Sequence, residues 1–327
     1  KLASNESPIG PSPKARAVLG ETAPTLHRYP DGGAFRLRGA LAERWKVTPD
    51  HVILGNGSDE ILGLLARTFL SPGDEAVMAE HTFVIYKMEV KAAHGVAVEV
   101  PQKNWHHDLP AMAAAITDKT RLLFVCNPNN PTGTMATKAE VAALMARVPD
   151  HVVVVFDEAY YEYVRHPEFP ESLSYVNAGR NVIVLRTFSK IYGLAGLRIG
   201  YGMTTPEITN YLNRIRPPFN ANSMAQRAAL AALDDEAHVG ASRALNHAEM
   251  DKVRTGLLTL GFEALPSETN FLYFDVGRDG REVFDALLRK GIIVRHIDGR
   301  MLRVTIGLPE ENQLFLSALA DVTRAAR

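Results

Sequence analysis

The chain has one cysteine, Cys126, in 327 residues. No internal disulfide can form, and cysteine content does not assign the chain to an oxidising compartment. Long apolar runs are missing: "VVVVF" (Val152–Phe156) is typical and far too short to span a bilayer. A charge excess is missing as well. The 36 basic and 37 acidic residues leave a formal net charge of −1, and the basic residues are scattered. A nucleic-acid or polyanion surface is therefore not expected. The nucleotide loop GxxxxGK[ST] is absent, and "GNGSDE" lacks the third glycine of GxGxxG. Neither His-x-x-x-His nor Cys-x-x-Cys occurs, so no metal is expected. Repeats and low-complexity segments are lacking too. The first residue is Lys1 rather than methionine, which leaves a cleaved leader open. A cytoplasmic enzyme is the default expectation.

What is present is a large apolar fraction, 46% of residues, enough for one large or two medium domains. The opening "NESPIGPSP" (Asn5–Pro13) reads as an extended arm. "RYPDGG" (Arg28–Gly33) reads as a turn in which Asp-Gly supplies backbone freedom. A rhythm of helices and oily strands follows. "FRLRGALAERW" and "SDEILGLLARTFL" are helical in pattern. "HVILG", "DEAVMAE", "VAVEV", "RLLFVC", "VVVVFDE" and "NVIVLRT" are strand candidates. Near-continuous Val/Ile/Leu strands alternating with helices predict an α/β fold with a mostly parallel sheet covered on both faces. After Pro217–Pro218 come helical stretches (Asn222–Leu233, Ala237–Leu260), the strands "TNFLYFDV", "GIIVRHI" and "MLRVTIG", and a final helix from Pro309 to Ala326. This predicts a smaller α+β domain. The expected division is an arm at 1–27 packing with the small domain, a large domain at 28–217 and a small domain at 218–327.

Ligands of parallel sheets gather at the carboxyl ends of strands. "ILGNGSDE" ends a strand and opens a helix, so Ser58 and Asp59 stand where backbone N–H groups could meet an anion, or simply form a βα turn. "FVCNPNNPTGT" is a rigid turn that fixes the amide of Asn130, or a stiff connector. "VVVVFDEAYYEY" leaves Asp157 at the end of a buried strand, costly unless a cation meets it. A helix cap or a partner for a local arginine is the plainer reading. "RTFSKIYGLAGLRIG" then offers Lys190 as an amine, with Thr187, Ser189 and Arg198 suited to a phosphate. An amine, a carboxylate, an amide with the nearby phenol of Tyr160, and a phosphate cup would all be used by pyridoxal 5'-phosphate. Its aldehyde suits the lysine and its ring nitrogen the aspartate.

These motifs, in this order and over nearly the whole chain, resemble the fold-type I pyridoxal-phosphate aminotransferases of class I/II. Among them the chain is most similar to the histidinol-phosphate aminotransferases. The resemblance runs from "KLASNESPIGPSPKA" through "RYPDGG", "GNGSDE", "NPNNPTGT", "DEAYYEY" and "TFSKIYGLAGLRIGYG" to "LRVTIG". It implies that Lys190 tethers the cofactor and shuttles the proton. It implies that Asp157 pairs with the ring nitrogen, and that Asn130 and Tyr160 hold the phenolate oxygen. Ser58, Asp59, Thr187, Ser189 and Arg198 would bind or frame the phosphate, and Phe83 would stack on the ring. Tyr29 would reach the phosphate site of a neighbouring subunit, which implies a homodimer. Arg303 would clamp a substrate carboxylate and Arg295 a substrate phosphate. Alternation along "RVTIG" puts Arg303, Thr305 and Gly307 on one face and Leu302, Val304 and Ile306 on the other. The implied reaction is transamination of L-histidinol phosphate with 2-oxoglutarate, in histidine biosynthesis. An aromatic or broad-specificity aminotransferase, a phospho-amino-acid decarboxylase and a non-catalytic relative remain alternatives. The interval "HIDGRM" between "GIIVR" and "LRVTIG" is shorter than in many relatives.

Overall fold

The structure, a computed structural model, describes residues 1–324. Seven strands make the larger sheet: β1 (Val52–Gly55), β2 (Glu75–Ala79), β3 (Val96–Val100), β4 (Thr120–Cys126), β5 (Val153–Asp157), β6 (Val182–Thr187) and β7 (Gly200–Thr204). Their order is β1-β7-β6-β5-β4-β2-β3. The pairs β2–β3, β2–β4, β4–β5 and β5–β6 are parallel, and β7 runs against both its neighbours. The central stretches of strands β4 to β6, Leu122–Cys126, Val153–Phe156 and Val182–Leu185, are apolar throughout because both faces are covered. Val154, Phe156, Val182 and Val184 enter one core with the helix Phe35–Trp45. Val153, Val155, Ile183 and Leu185 enter another with the helices Ser58–Phe69 and Pro206–Ile215. Strand β7 was not expected. Its sequence "GYGMT" is poor in strand formers, but a Cβ at Gly202 would press on Ile53, Ile183 and Leu185, so close packing demands glycine there.

The second sheet is antiparallel, β8 (Phe271–Asp275), β9 (Arg295–Asp298) and β10 (Met301–Thr305), in the order β8-β10-β9. Leu302, Val304 and Ile306 pack with Leu272, Phe274 and Phe315 in a third core, so the expected alternation of β10 holds. Strand β9 is shorter than expected: Gly291–Val294 precede it without strand pairing, and Leu2 donates its N–H to the Ile293 carbonyl at 2.7 Å. The short interval before β10 closes as a tight turn at Gly299, whose φ is +47°.

The first 27 residues are not wholly extended. Ser12 caps a helix over Pro13–Thr22, with Pro13 at its first position. This helix packs on the helix Ser223–Leu233 through Ala15, Ala225 and Ala228. The left-handed residue at the "RYPDGG" turn is Ala34, just after that stretch, and not one of its glycines. The turn is held by the Asp31 carboxylate, which accepts from the N–H groups of Gly33 and Phe35. The long helix Glu236–Thr259 crosses between cores, with Val239 in the first and Met250, Val253 and Leu257 in the third. We propose 217/218 as the start of the C-terminal unit, whose helix Ser223–Leu233 and the start of Glu236–Thr259 pack back on the first core. The last helix is described over Pro309–Arg324; the expected extension to Ala326 lies outside the described residues. No described helix is long and apolar enough to cross a membrane.

Candidate active site

The carboxyl ends of β4, β5 and β6 open into one pocket. Asn130, Asp157, Tyr160, Thr187, Ser189 and Lys190 line it, together with Ser58, Asp59, Phe83 and Arg198. Ten expected residues from five chain segments thus meet in one place. Cys126 and Ala159 complete the wall.

Asp157 is 3% exposed and has no cation within ion-pair distance among the described residues. The Tyr86 hydroxyl donates to its Oδ2 at 2.7 Å, and the Ala159 N–H donates to Oδ1 at 3.2 Å. Burial pushes the carboxyl up to about 6, against the pull of the Tyr86 hydrogen bond. Tyr86 itself is fully buried, stacked on Phe124 with ring centroids 4.7 Å apart and edge-on to Phe83. The role of Tyr86 as the partner of Asp157 has no signature in the sequence beyond its place three residues after Phe83.

Lys190 donates to the Ser4 carbonyl at 3.3 Å, and its Nζ lies 5.7 Å from the centre of the Tyr160 ring. Burial, with the positive charge of Arg303, brings the amine down to about 8. Tyr160 is buried, which raises its phenol, and it receives a hydrogen bond from Asn5 Nδ2 at 2.8 Å. Asn5, Ala3 and Ser4 of the arm were not expected at the site.

Opposite these groups is a cradle. Gly57, at φ +79°, turns the chain so that the helix Ser58–Phe69 starts at the pocket. A side chain at Gly57 would collide with the Arg198 guanidinium. Arg198, itself left-handed at φ +55°, contacts Asp59 at 3.2 Å. The Ser189 N–H donates to Thr187 Oγ1 at 3.1 Å. First-turn N–H groups, three hydroxyls and a guanidinium suit a phosphate.

The Asn-rich loop is rigid for a reason the prolines only hinted at. Asn127 bonds both the N–H and the carbonyl of Ala136, and Asn129 ties to Thr82, His81 and Thr132. This frames Asn130, whose Oδ1 accepts from Arg303. Arg303 also donates to the Ala3 carbonyl at 2.7 Å. It does not line the pocket directly but touches a residue that does. Arg295 is exposed on β9, in register with Arg303. Tyr29 is 82% exposed, stacks on Phe219 and lies outside the pocket.

On the far face of the same strand ends, Glu158 and Arg186 form a buried pair. Nε and Nη2 both donate to Glu158 Oε2, at 3.0 and 2.7 Å, and the guanidinium lies between the Trp45 and Tyr161 rings. The local arginine therefore pairs with Glu158, which leaves Asp157 to the pocket.

These residues fit pyridoxal 5'-phosphate. A buried carboxylate without a cation suits a protonated ring nitrogen, a lysine of lowered basicity suits an aldehyde, and the cradle suits a phosphate. The profile of the family described as "Aminotransferase class I and II" matches residues 1–319. A histidinol-phosphate aminotransferase of Moorella thermoacetica is 52% identical, over 98% of this chain and 85% of its own length. Histidinol-phosphate aminotransferase 2 of Pseudomonas fluorescens is 50% identical, over 100% and 89%. The crystal structure of histidinol-phosphate aminotransferase from Sinorhizobium meliloti in complex with pyridoxal-5'-phosphate superposes with a TM-score of 0.95 at 30% identity, covering 100% of this chain and 91% of that one. The chain belongs to the pyridoxal-phosphate-dependent class I and II aminotransferases.

Proposed function

We propose that the protein transaminates L-histidinol phosphate with 2-oxoglutarate, giving imidazole acetol phosphate and L-glutamate, as a cytoplasmic homodimer. The observation that carries this reading is the placing of Asp157 and Lys190 in one pocket, Asp157 buried and Lys190 half-buried, with neither in an ion pair among the described residues. Similarity to the Moorella and Pseudomonas enzymes supports the substrate.

Pyridoxal 5'-phosphate, when bound, supplies a protonated ring that draws electrons from the bond to be broken at the substrate Cα. The protein does the rest. Asp157, steered by Tyr86, would keep the ring nitrogen protonated. Lys190, near 8, is poised to take up the Cα proton and give it back, because a general base works best near ambient pH. Asn130 and Tyr160 would hold the phenolate oxygen, Phe83 would stack on the ring, and Ser58, Asp59, Thr187, Ser189 and Arg198 would hold or frame the phosphate. Arg303 and Arg295 stand opposite each other on adjacent strands. Like charges in register are unfavourable without an anion between them, which supports a substrate carboxylate or phosphate there. Leu26, Tyr29, Phe35 and Phe219 leave an exposed apolar face, which supports coverage by a second subunit with Tyr29 reaching its site.

Lys190→Ala should abolish the violet absorbance of the lysine-bound cofactor and turnover together. A variant keeping that band with full turnover refutes the assignment. Rates on histidinol phosphate against phenylalanine separate the proposed substrate from an aromatic one.

A further inference from the structure

Asn5 belongs to the arm, yet it is only 2% exposed and stands behind Tyr160 at the edge of the site. Its φ of +57° is left-handed, a conformation that asparagine tolerates better than most residues. Its backbone is fully engaged: the N–H donates to Thr305 Oγ1 at 3.0 Å, and the carbonyl accepts from Asn270 Nδ2 at 3.0 Å. These two bonds already anchor the arm. The side chain is left free for another task. Thr305 Oγ1, having accepted from the Asn5 N–H, turns its own hydrogen to Asn5 Oδ1 at 3.0 Å. That settles which end of the amide faces Tyr160. Nδ2 is the end that meets the phenol oxygen, at 2.8 Å.

We propose that Asn5 is a positioning residue that directs the Tyr160 hydroxyl proton into the pocket. A phenol oxygen receiving an N–H on the arm side holds its own hydrogen away from the arm. Among the described residues that hydrogen has no acceptor, and Tyr160 lines the pocket. The inference rests on the cofactor reading above: the missing acceptor is the phenolate oxygen of the bound ring. Hydrogen bonds in series polarise one another, so the Asn5 bond also makes Tyr160 a stronger donor. Thr305, Asn5 and Tyr160 thus form a relay that runs from β10 through the arm to the cofactor. The charged and titratable groups facing Tyr160 are Arg303 on β10, Asp157 at the end of β5, the buried thiol of Cys126 at the end of β4, and Lys190 over its ring.

The test is the pH titration of the visible band of the holoenzyme. A donor to the phenolate oxygen favours the form in which the neighbouring nitrogen has lost its proton, so losing that donor raises the midpoint. Asn5→Asp keeps the shape but presents acceptors, which turns the phenol proton back toward the arm. The midpoint should rise by about one unit, the worth of one hydrogen bond to a charged group. Asn5→Gly suits the left-handed backbone and keeps both anchoring bonds, and should raise the midpoint by less. In a Tyr160→Phe background, Asn5→Asp should add no further shift. If both single variants titrate at the wild-type midpoint with the band intact, the inference falls while the cofactor reading stands. If Asn5→Asp still shifts the midpoint without the phenol, its charge acts directly and the inference falls. If the unaltered protein shows no visible band, the cofactor reading fails and takes the inference with it.

Discussion

Asp157→Asn should make the cofactor-free protein more stable while destroying its activity. The carboxyl is 3% exposed, and its folded-state value of about 6 lies above the unfolded 3.8. A raised acid binds its proton more tightly in the folded state, so ionisation works against folding. Two units correspond to about 3 kcal/mol at neutral pH. Asparagine carries no charge and its single oxygen can accept from Tyr86, but its NH2 then faces the Ala159 N–H, which loses its acceptor and removes about 1 kcal/mol of that gain. The expected net stabilisation is about 2 kcal/mol at pH 8. It should shrink as pH falls below 6 and give way to a deficit of about 1 kcal/mol below about 4, where the wild-type acid is protonated in both states and only the lost hydrogen bond remains. Urea unfolding of both proteins without cofactor, across that pH range, measures it. Added pyridoxal phosphate should reverse the order, since only the wild type meets the ring nitrogen with an anion. A variant no more stable than wild type at pH 8, or a gap independent of pH, would refute the claim that Asp157 is held ionised at a cost.

Two other substitutions probe the frame around the site. Glu158→Gln leaves the Arg186 guanidinium buried without its anion, and should destabilise the fold by about 3–5 kcal/mol in the same urea assay; the companion double variant Glu158→Gln/Arg186→Met should lose less than the single. Tyr29→Ala removes an exposed side chain, so the subunit fold should be unchanged by circular dichroism while the cofactor dissociation constant rises about tenfold, the loss of one hydrogen bond to a phosphate. An unaltered dissociation constant removes Tyr29 from the neighbouring site.

Much of the architecture was legible because the central strands are buried on both faces and their composition says so. The residues at their ends were legible for a related reason. Asp157, Lys190, Thr187 and Ser189 are polar groups placed where a core strand would normally close in a turn, and burial makes such placements rare without a ligand. Two kinds of information were not local. Strand β7 has the composition of a loop, and only the crowding around Gly202 shows why glycine there serves a strand. Tyr86 and Asn5 are polar partners brought in by packing, 71 and 155 residues from the groups they touch. No spacing rule links them to Asp157 or Tyr160. The arm shows both limits together, since its prolines hid a helix over Pro13–Thr22 and its first residues supply three contacts to the site.

The buried Glu158–Arg186 pair explains how Asp157 comes to face the pocket at all. Residues 157 and 158 point to opposite sides of the sheet, as do 186 and 187. A slip of β5 by one residue against β6 would send Glu158 into the pocket and Asp157 to the far face. Hydrophobic burial alone opposes that slip weakly, because Val152 to Phe156 would present apolar side chains to both faces in either register. Arg186 opposes it strongly. Its guanidinium is held between Trp45 and Tyr161, so the carboxylate it needs must arrive at one fixed height, and the longer glutamate at 158 reaches it with two hydrogen bonds. The pair is then less a source of net stability than a lock on register. The same lock holds Thr187, one residue on, toward the phosphate cradle. The far face of these strand ends is where Arg186 and Glu158 neutralise each other, so that the near face keeps Asp157 and Lys190 without ionic partners among the described residues.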